Sequence, residues 1–425
     1  MKKSGFLFVA AAVALASAAS AQVGLTWVTQ TDNLKTLPLL ENPSVEIGSN
    51  QMHGTAVVTV AGTTYVYMVG GNAPLPGELP RIHYAPIVGN TVGAWQAADV
   101  QLTNAAGALG GANLAGVGTS YATRSTVGLN GRIYQVGGRS NVGDVDNRNR
   151  GIRVFTPVAG GNIPASNVEY YTGLADATNS IAAVSPVLER LESAVVTNPS
   201  KAVAGQTVLY IAGGGSGAEA TSSIQKLYID NSTGAIVGAG PLNANTRALG
   251  NAITTAGALD AAKTSGTALI LGDYFYYIGS NVAPRDVVLR GTIGNDDNVG
   301  TLAAAGVAAL PEGRFDGGAV VYNNRIYVLG GCVTGNTDIR NTVYYAEPNL
   351  TTGDIATWQT GNPIPITHPV GTVTPGLRRV GAVTSNNLII IVAGRVANTD
   401  APTRSGDVFV GRDTSAVSDW QFLVD

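Results

Sequence analysis

One pattern recurs six times along the chain and restricts what it can fold into. Its clearest copy is residues 313–331, GRFDGGAVVYNNRIYVLGG: an Arg, a run of small and β-branched residues, Asn-Asn, an apolar-aromatic run and Gly-Gly. Asn tolerates the positive φ that a two-residue turn demands and the flanking runs are rich in strand formers, so this copy reads as a β-hairpin. The second strand of each copy ends near Gly70-Gly71, Gly137-Gly138, Gly213-Gly214, Gly279, Gly330-Gly331 and Gly394, in steps of 51 to 76 residues. A repeated unit of that size cannot bury a hydrophobic face alone and has to stack on its neighbours.

Each copy continues in the same way. Tight turns are predicted at Ala61-Gly62, Asn130-Gly131, Asn323-Asn324 and Asn386-Asn387, and longer hairpin loops before Gln206 and Thr267. After each Gly comes a polar loop and then a third strand, at 81–88, 151–157, 223–230, 285–293, 340–347 and 405–411. A fourth strand is marked by Trp where it is clearest. The four Trp residues are an independent ruler: Trp27 and Trp420 lie 393 positions apart, six steps of about 65, and Trp95 and Trp358 lie 263 apart, four steps of nearly the same length.

Six units of four antiparallel strands, repeated radially, make a β-propeller. Gly-Gly after an apolar strand followed by a later Trp resembles the kelch repeat family, over essentially the whole chain beyond residue 21. That resemblance implies a six- or seven-bladed propeller. The expectation is therefore an all-β, six-bladed propeller of four-stranded antiparallel blades, with seven blades as the alternative, in a single domain spanning 22–425. Segments 25–30 and 419–424 both read as fourth strands, so either the first strand completes the last blade or a seventh blade is incomplete. The best helix candidate is 179–196, with Leu188, Leu191 and Glu192.

Residues 1–21 carry Lys2 and Lys3, an apolar run from Phe6 to Ala16 and the small-residue ending Ala19-Ser20-Ala21. This is the pattern of a secretory signal peptide, and it predicts a secreted protein, extracellular or periplasmic, of bacterial type. No later apolar run is long enough to span a bilayer as a helix. Charged residues make up 12% of the chain with a net charge of −3, which gives no electrostatic footprint for nucleic acid. The single Cys332 excludes an intramolecular disulfide.

Residues able to carry chemistry are sparse. His53, His83 and His368 have no partner at metal-ligand spacing, and no Gly-x-Ser-x-Gly elbow occurs. Residues 143–149, GDVDNRN, resemble the start of a calcium loop, but Arg148 occupies a ligand position; Asp296-Asp297-Asn298 reads more simply as a turn. Kelch relatives include copper radical oxidases, which need a Cys-Tyr cross-link and His ligands. Cys332 directly follows the fifth Gly-Gly and no such His set accompanies it, so neither metal nor cofactor is expected.

Alternating strand direction sorts the loops onto two faces. The starts of the innermost strands and the loops between second and third strands share one face, which holds the long segments and 15 of the 19 arginines. Arg124, Arg190, Arg247, Arg314 and Arg378 or Arg379 are placed at the openings of five innermost strands, with His53 in the remaining blade. Arg presents a planar fork of donors suited to carboxylates, so these residues are the predicted ligand-binding set for an anionic group at the channel mouth. Glu189, Glu312 and Asp316 lie close enough in sequence to pair with them instead. The functional expectation is a binding or interaction module, not a catalyst, for carbohydrate or another surface polymer, with an anionic glycan or a surface protein as partner. The resemblance implies one alternative, a sugar-active enzyme of the sialic acid mutarotase kind; a structural component of the cell envelope is another.

Overall fold

The computed structural model describes residues 25–29, 53–70, 81–101, 125–137, 151–172, 193–214, 220–242, 246–249, 252–334, 338–366, 376–385, 387–395 and 404–413. These form six small, mainly antiparallel sheets arranged as the blades of a six-bladed β-propeller. The innermost strands are Gly54–Val60, Thr126–Leu129, Ala194–Pro199, Thr267–Leu271, Gly318–Tyr322 and Gly381–Ser385, for blades one to six. Each packs against the innermost strand on either side, and the sixth returns to the first, which closes the ring around a central channel.

The hairpins form where the sequence predicts them. Ala61-Gly62, Asn130-Gly131 and Asn323-Asn324 all have positive φ, the backbone that matches a tight turn to the twist of its strands. The second strands, such as Thr63–Val69 and Arg325–Leu329, are buried on both faces and are therefore almost continuously apolar. Alternate residues point to the two neighbouring blades: Tyr67 and Val69 pack towards blade two, Val66 and Met68 towards blade six. The core is accordingly six wedges, one at each blade interface.

The N-terminal strand Leu25–Thr29 pairs antiparallel with Arg404–Asp413 and supplies the fourth strand of blade six. This settles the choice left by the sequence in favour of six blades. Trp95 and Trp358 stand immediately before the fourth strands of blades one and five, and Trp27 lies within that of blade six. Trp27 Nε1 donates to Asn362 O and Trp358 Nε1 to Ala308 O, each reaching the outer segment of the preceding blade.

Three expectations need correction or fall elsewhere. Thr267 does not begin a second strand; it begins the innermost strand of blade four, whose tight turn is Gly272-Asp273 before Tyr274–Ile278. The preceding stretch Thr254–Lys263 is the fourth strand of blade three, and among the described residues blade four has three strands plus the bridge Arg290–Ala303. The end of the helix candidate, from Ala194, is the innermost strand of blade three, and no α-helix occurs among the described residues. Segments 1–21, 143–149, 179–192 and 419–424, with His368, Asn386, Glu189 and Trp420, lie outside the described residues.

A repeated clasp joins successive blades on the face of the tight turns. Tyr67, Tyr134, Tyr210 and Tyr276 occupy the same place, three residues before the Gly that ends each second strand. Their buried hydroxyls donate to the backbone oxygens of Gly161, Gly234, Asp297 and Gly353 in the next blade. Two residues after each acceptor a buried Ile or Val follows: Ile163, Ile236, Val299 and Ile355. At the seam from blade six to blade one the tyrosine position is Ile391, and Arg412 Nη2 donates to Asn90 O instead, two residues before the buried Val92.

Candidate functional site

The opposite face surrounds the channel mouth, and its geometry follows from the Gly-Gly repeat. Gly213, Gly279 and Gly330 have φ of 58°, 71° and 61°, a backbone that side-chained residues adopt only under strain. They turn the chain out of the second strand and against the next blade. The residue that follows then donates its N–H to the segment leading into the next innermost strand: Gly214 to Lys263 O, Ser280 to Arg314 O and Gly331 to Leu377 O, at 2.8 to 3.0 Å. Each acceptor lies four residues before the first residue of the next innermost strand.

Two residues further on, the chain is strained. Ser265, Asp316 and Arg379 have φ of 59°, 57° and 55° and stand at equivalent places in blades four, five and six. Asp316 N donates to Ser265 O and Arg379 N to Asp316 O, which links three blades into a collar at the mouth. Left-handed backbone at a non-glycine residue costs on the order of 1–3 kcal/mol and gathers at functional sites. Arg379 Nε meets Asp316 Oδ2 at 3.2 Å, with Asp316 buried and Arg379 partly exposed.

Beside the collar lies a half-buried ion network. Glu312 accepts from Arg314 Nη1 at 2.8 Å and from both Nε and Nη2 of Arg340, while Arg340 Nη1 also reaches Asp338. Burial works against the charge of Glu312, but the hydrogen bonds from Arg340 and Arg314 outweigh it and hold the carboxyl below the usual glutamate range. The same contacts raise the Arg340 pKa, so both groups stay ionised. Cys332 is buried in a small cluster with Phe315 and Ile339; burial pushes its thiol up to about 11, although Arg378 Nη1 lies 3.7 Å from the sulfur.

Below the collar the channel holds a cavity of about 350 Å³, lined by all six innermost strands. Its wall starts at the residue before the strand in four blades, at His53, Ser193, Gly266 and Val380, and at the first strand residue in the other two, Thr126 and Gly318, and continues down to Val57, Thr197 and Thr384. The innermost strands come close because small residues face one another there. A Cβ at Gly381 would coincide with Thr55 Oγ1, and one at Gly54 with Thr126 Oγ1. Thr55 and Thr126 are buried, and neither hydroxyl has a hydrogen-bond partner among the described residues.

Among the described residues, each predicted arginine has a partner within the protein: Glu169 for Arg247, Glu312 for Arg314, Cys332 for Arg378 and Asp316 for Arg379. Arg314 is buried 5.0 Å over the Tyr344 ring, Arg378 reaches Cys332, and neither belongs to the cavity wall. Arg247 does not open an innermost strand. It sits on Thr246–Ala248, which adds in parallel to the outer edge of blade two, and it pairs with Glu169 at 3.2 Å. The cation at the place from which blade four is entered is Lys263, the last residue of the fourth strand of blade three, four residues before Thr267 and 3.2 Å from Asp260. His53 does line the cavity. Arg124 and Arg190 lie outside the described residues.

Elsewhere, the Asp296-Asp297-Asn298 segment is a turn whose carboxylates are taken by protein donors. Asp297 accepts from Ser200 Oγ and the N–H groups of Lys201 and Ala202, and Asp296 from Asn298. Among the described residues no group of three His, Cys, Asp or Glu gathers as a metal site, and no helix is long and apolar enough to cross a membrane.

Fold and site together define a six-bladed β-propeller with a polar, charge-framed channel mouth, the class of fold commonly used as an interaction module. The chain matches no protein-family model and no curated protein sequence.

Proposed function

We propose that the protein is an exported, kelch-like propeller that binds carbohydrate on its collar face. The observation that carries this reading is the strained collar of Ser265, Asp316 and Arg379, set between the Glu312–Arg340 fork and an open cavity. Planar carboxylates and guanidinium groups that fix one another in place keep lone pairs and N–H groups directed outward. Such groups meet sugar hydroxyls, which donate and accept, with little reorganisation on binding. Export rests on the basic, apolar and small-residue order of residues 1–21, and the kelch relationship on the Gly-Gly and Trp repeats. An anionic glycan would draw on Arg124 and Arg190, since Arg314, Arg340 and Arg379 are engaged with acidic side chains.

The test is a glycan array probed with residues 22–425, wild type and the Arg340→Ala and Glu312→Gln variants. The expected result is retention of at least one glycan class, weakened about tenfold or more in both variants, with unchanged circular dichroism. Absence of any glycan binding, or equal binding by all three proteins, overturns the reading.

A further inference from the structure

The outer edges of the blades are not all finished in the same way. In blades one to five, the next blade supplies a segment that hydrogen-bonds to the outside of the fourth element. Val100 N of blade one donates to Ile163 O, and Asp99 and Asn162 exchange two further bonds. Val168–Thr172 of blade two takes Thr246–Ala248 as a parallel fifth strand, and Thr254–Lys263 of blade three takes Gly300–Thr301 in the same sense. In blade four, Ala308 N donates to Ile355 O and Ile355 N to Gly306 O, again around a parallel bridge. In blade five, Asn362 O accepts from Trp27 Nε1 and Asn362 Nδ2 donates to Leu25 O.

Blade six differs, and the reason lies in blade one. The segments covering blades one to four come from the connection between third and fourth elements of the next blade, residues 156–167, 231–253, 293–302 and 347–358. In blade one that connection folds back at once: Thr91–Val92 pairs with Ile87 and Val88 of its own third strand, across the turn at Gly89-Asn90. Among the described residues, Leu25–Thr29 therefore ends its sheet with no strand on its outer side. Its sequence, LTWVT, has none of the charged or Pro residues that keep an open edge from pairing.

We infer that residues 419–424 cover this edge as a parallel fifth strand of blade six. The third strand Arg404–Asp413 ends beside Leu25, with which Asp413 is paired. Residues 414–418 reach about 16 Å at ~3.3 Å per residue, and two strand spacings are about 10 Å. A chain that turns back from Arg404–Asp413 runs opposite to it, which is the direction of Leu25–Thr29. Parallel pairing follows, as on the outer edges of blades two and three. The segment DWQFLV places Trp420, Phe422 and Val424 at alternate positions, the period of a strand with one apolar face. Asp419 and Asp425 bracket it with charge, which suits it better than LTWVT to the outermost place. The segment thereby occupies the backbone groups through which a second copy of the chain would add edge to edge, and this role is independent of carbohydrate binding.

The test is hydrogen–deuterium exchange read by mass spectrometry on residues 22–425, wild type and Phe422→Pro, with sedimentation at several protein concentrations. In wild type the amides of 419–424 should exchange about a hundredfold or more slower than in an unstructured chain, at a rate independent of protein concentration and in a monomer. Proline has no N–H to give to a ladder, so Phe422→Pro should abolish that protection and speed exchange of 25–29 about tenfold or more, with the hairpins of blades two to five unchanged. A second measurement uses Thr26→Cys, whose side chain is exposed, combined in turn with Gln421→Cys, Phe422→Cys and Leu423→Cys in a Cys332→Ser background. At least one pair should close as an intrachain disulfide on mild oxidation. Unprotected amides at 419–424 in wild type overturn the inference. Protection that grows with protein concentration alongside a dimer means that a second copy covers the edge, and overturns it too. Protection that leaves 25–29 unaffected by Phe422→Pro, or that is accompanied by no intrachain disulfide, places 419–424 elsewhere and has the same result. If Phe422→Pro does not fold, wild-type exchange and the cysteine pairs decide.

Discussion

At the scale of single residues, the structure assigns distinct work to groups that look interchangeable in sequence. The clasp tyrosines are the clearest case. Burial raises the phenol pKa of Tyr134 and Tyr276 well above its usual value, so each hydroxyl remains a donor. Tyr276→Phe removes that donor and leaves Gly353 O without it, at a cost of about 1 kcal/mol in chemical denaturation. Tyr134→Phe should cost a similar amount through Gly234 O, and no measurable loss in either variant would show that the clasp contributes nothing. Glu312 predicts a pH dependence. Its folded pKa is depressed, so its contribution is present above the ordinary glutamate range near about 4.3 and is lost as pH falls through the lower folded value. The stability gap between wild type and Glu312→Gln should therefore be constant near neutrality and shrink below about pH 4. For Cys332, burial and the raised thiol pKa predict that a thiol reagent at pH 8 leaves the folded protein unmodified and labels it only after denaturation.

At the scale of strands and turns, packing around the channel depends on paired choices in adjacent blades. Thr55 fills the place of a side chain at Gly381, so Gly381→Ala should destabilise by about 1–3 kcal/mol. Adding Thr55→Gly makes room for the new methyl group and should recover part of the loss. A double-mutant cycle with additive effects would show that the two positions do not meet. Hairpins and third strands were legible in the sequence because their signals are local: Gly at positive φ, Asn in the turn, and alternating or continuous apolar runs. Blade four was misread because Thr254–Lys263, TTAGALDAAK, has little of the β-branched or aromatic content that marks a strand. Arg247 then appeared to open a blade that begins twenty residues later. The site was legible only in part. Sequence spacing placed Arg314, Arg378 and Arg379 near the mouth, and named Glu312 and Asp316 as partners. It could not give side-chain direction, which here is set by Tyr344, Cys332 and those two carboxylates. The tyrosine clasp had a sequence signal, Tyr three residues before the Gly, but its meaning depends on a carbonyl in another blade.

At the scale of the whole molecule, the ring is held shut by one strand from the N-terminal region. Leu25 is buried in the core between blades five and six, and Leu25–Thr29 covers the outer edge of Arg404–Asp413. Deleting residues 1–30 should leave that edge open, lower the melting temperature by many degrees and promote association through the exposed strand. A deletion protein that melts like the full chain and stays monomeric in sedimentation would refute this. The same pairing has a consequence for how the protein is made. Leu25 leaves the ribosome before every other described strand residue, and its partner Asp413 is synthesised 388 residues later. Thermodynamically the long separation matters little, since each doubling of a loop adds only about 0.6 kcal/mol to its closure. Kinetically it matters more: blades one to five can assemble while the chain is still growing, but the last blade has to wait for its far end. Refolding should end in a slow step of low local character, the docking of the first strand, and a circular permutant that begins at the innermost strand of blade one and carries Leu25–Thr29 behind Asp413 should lose that step.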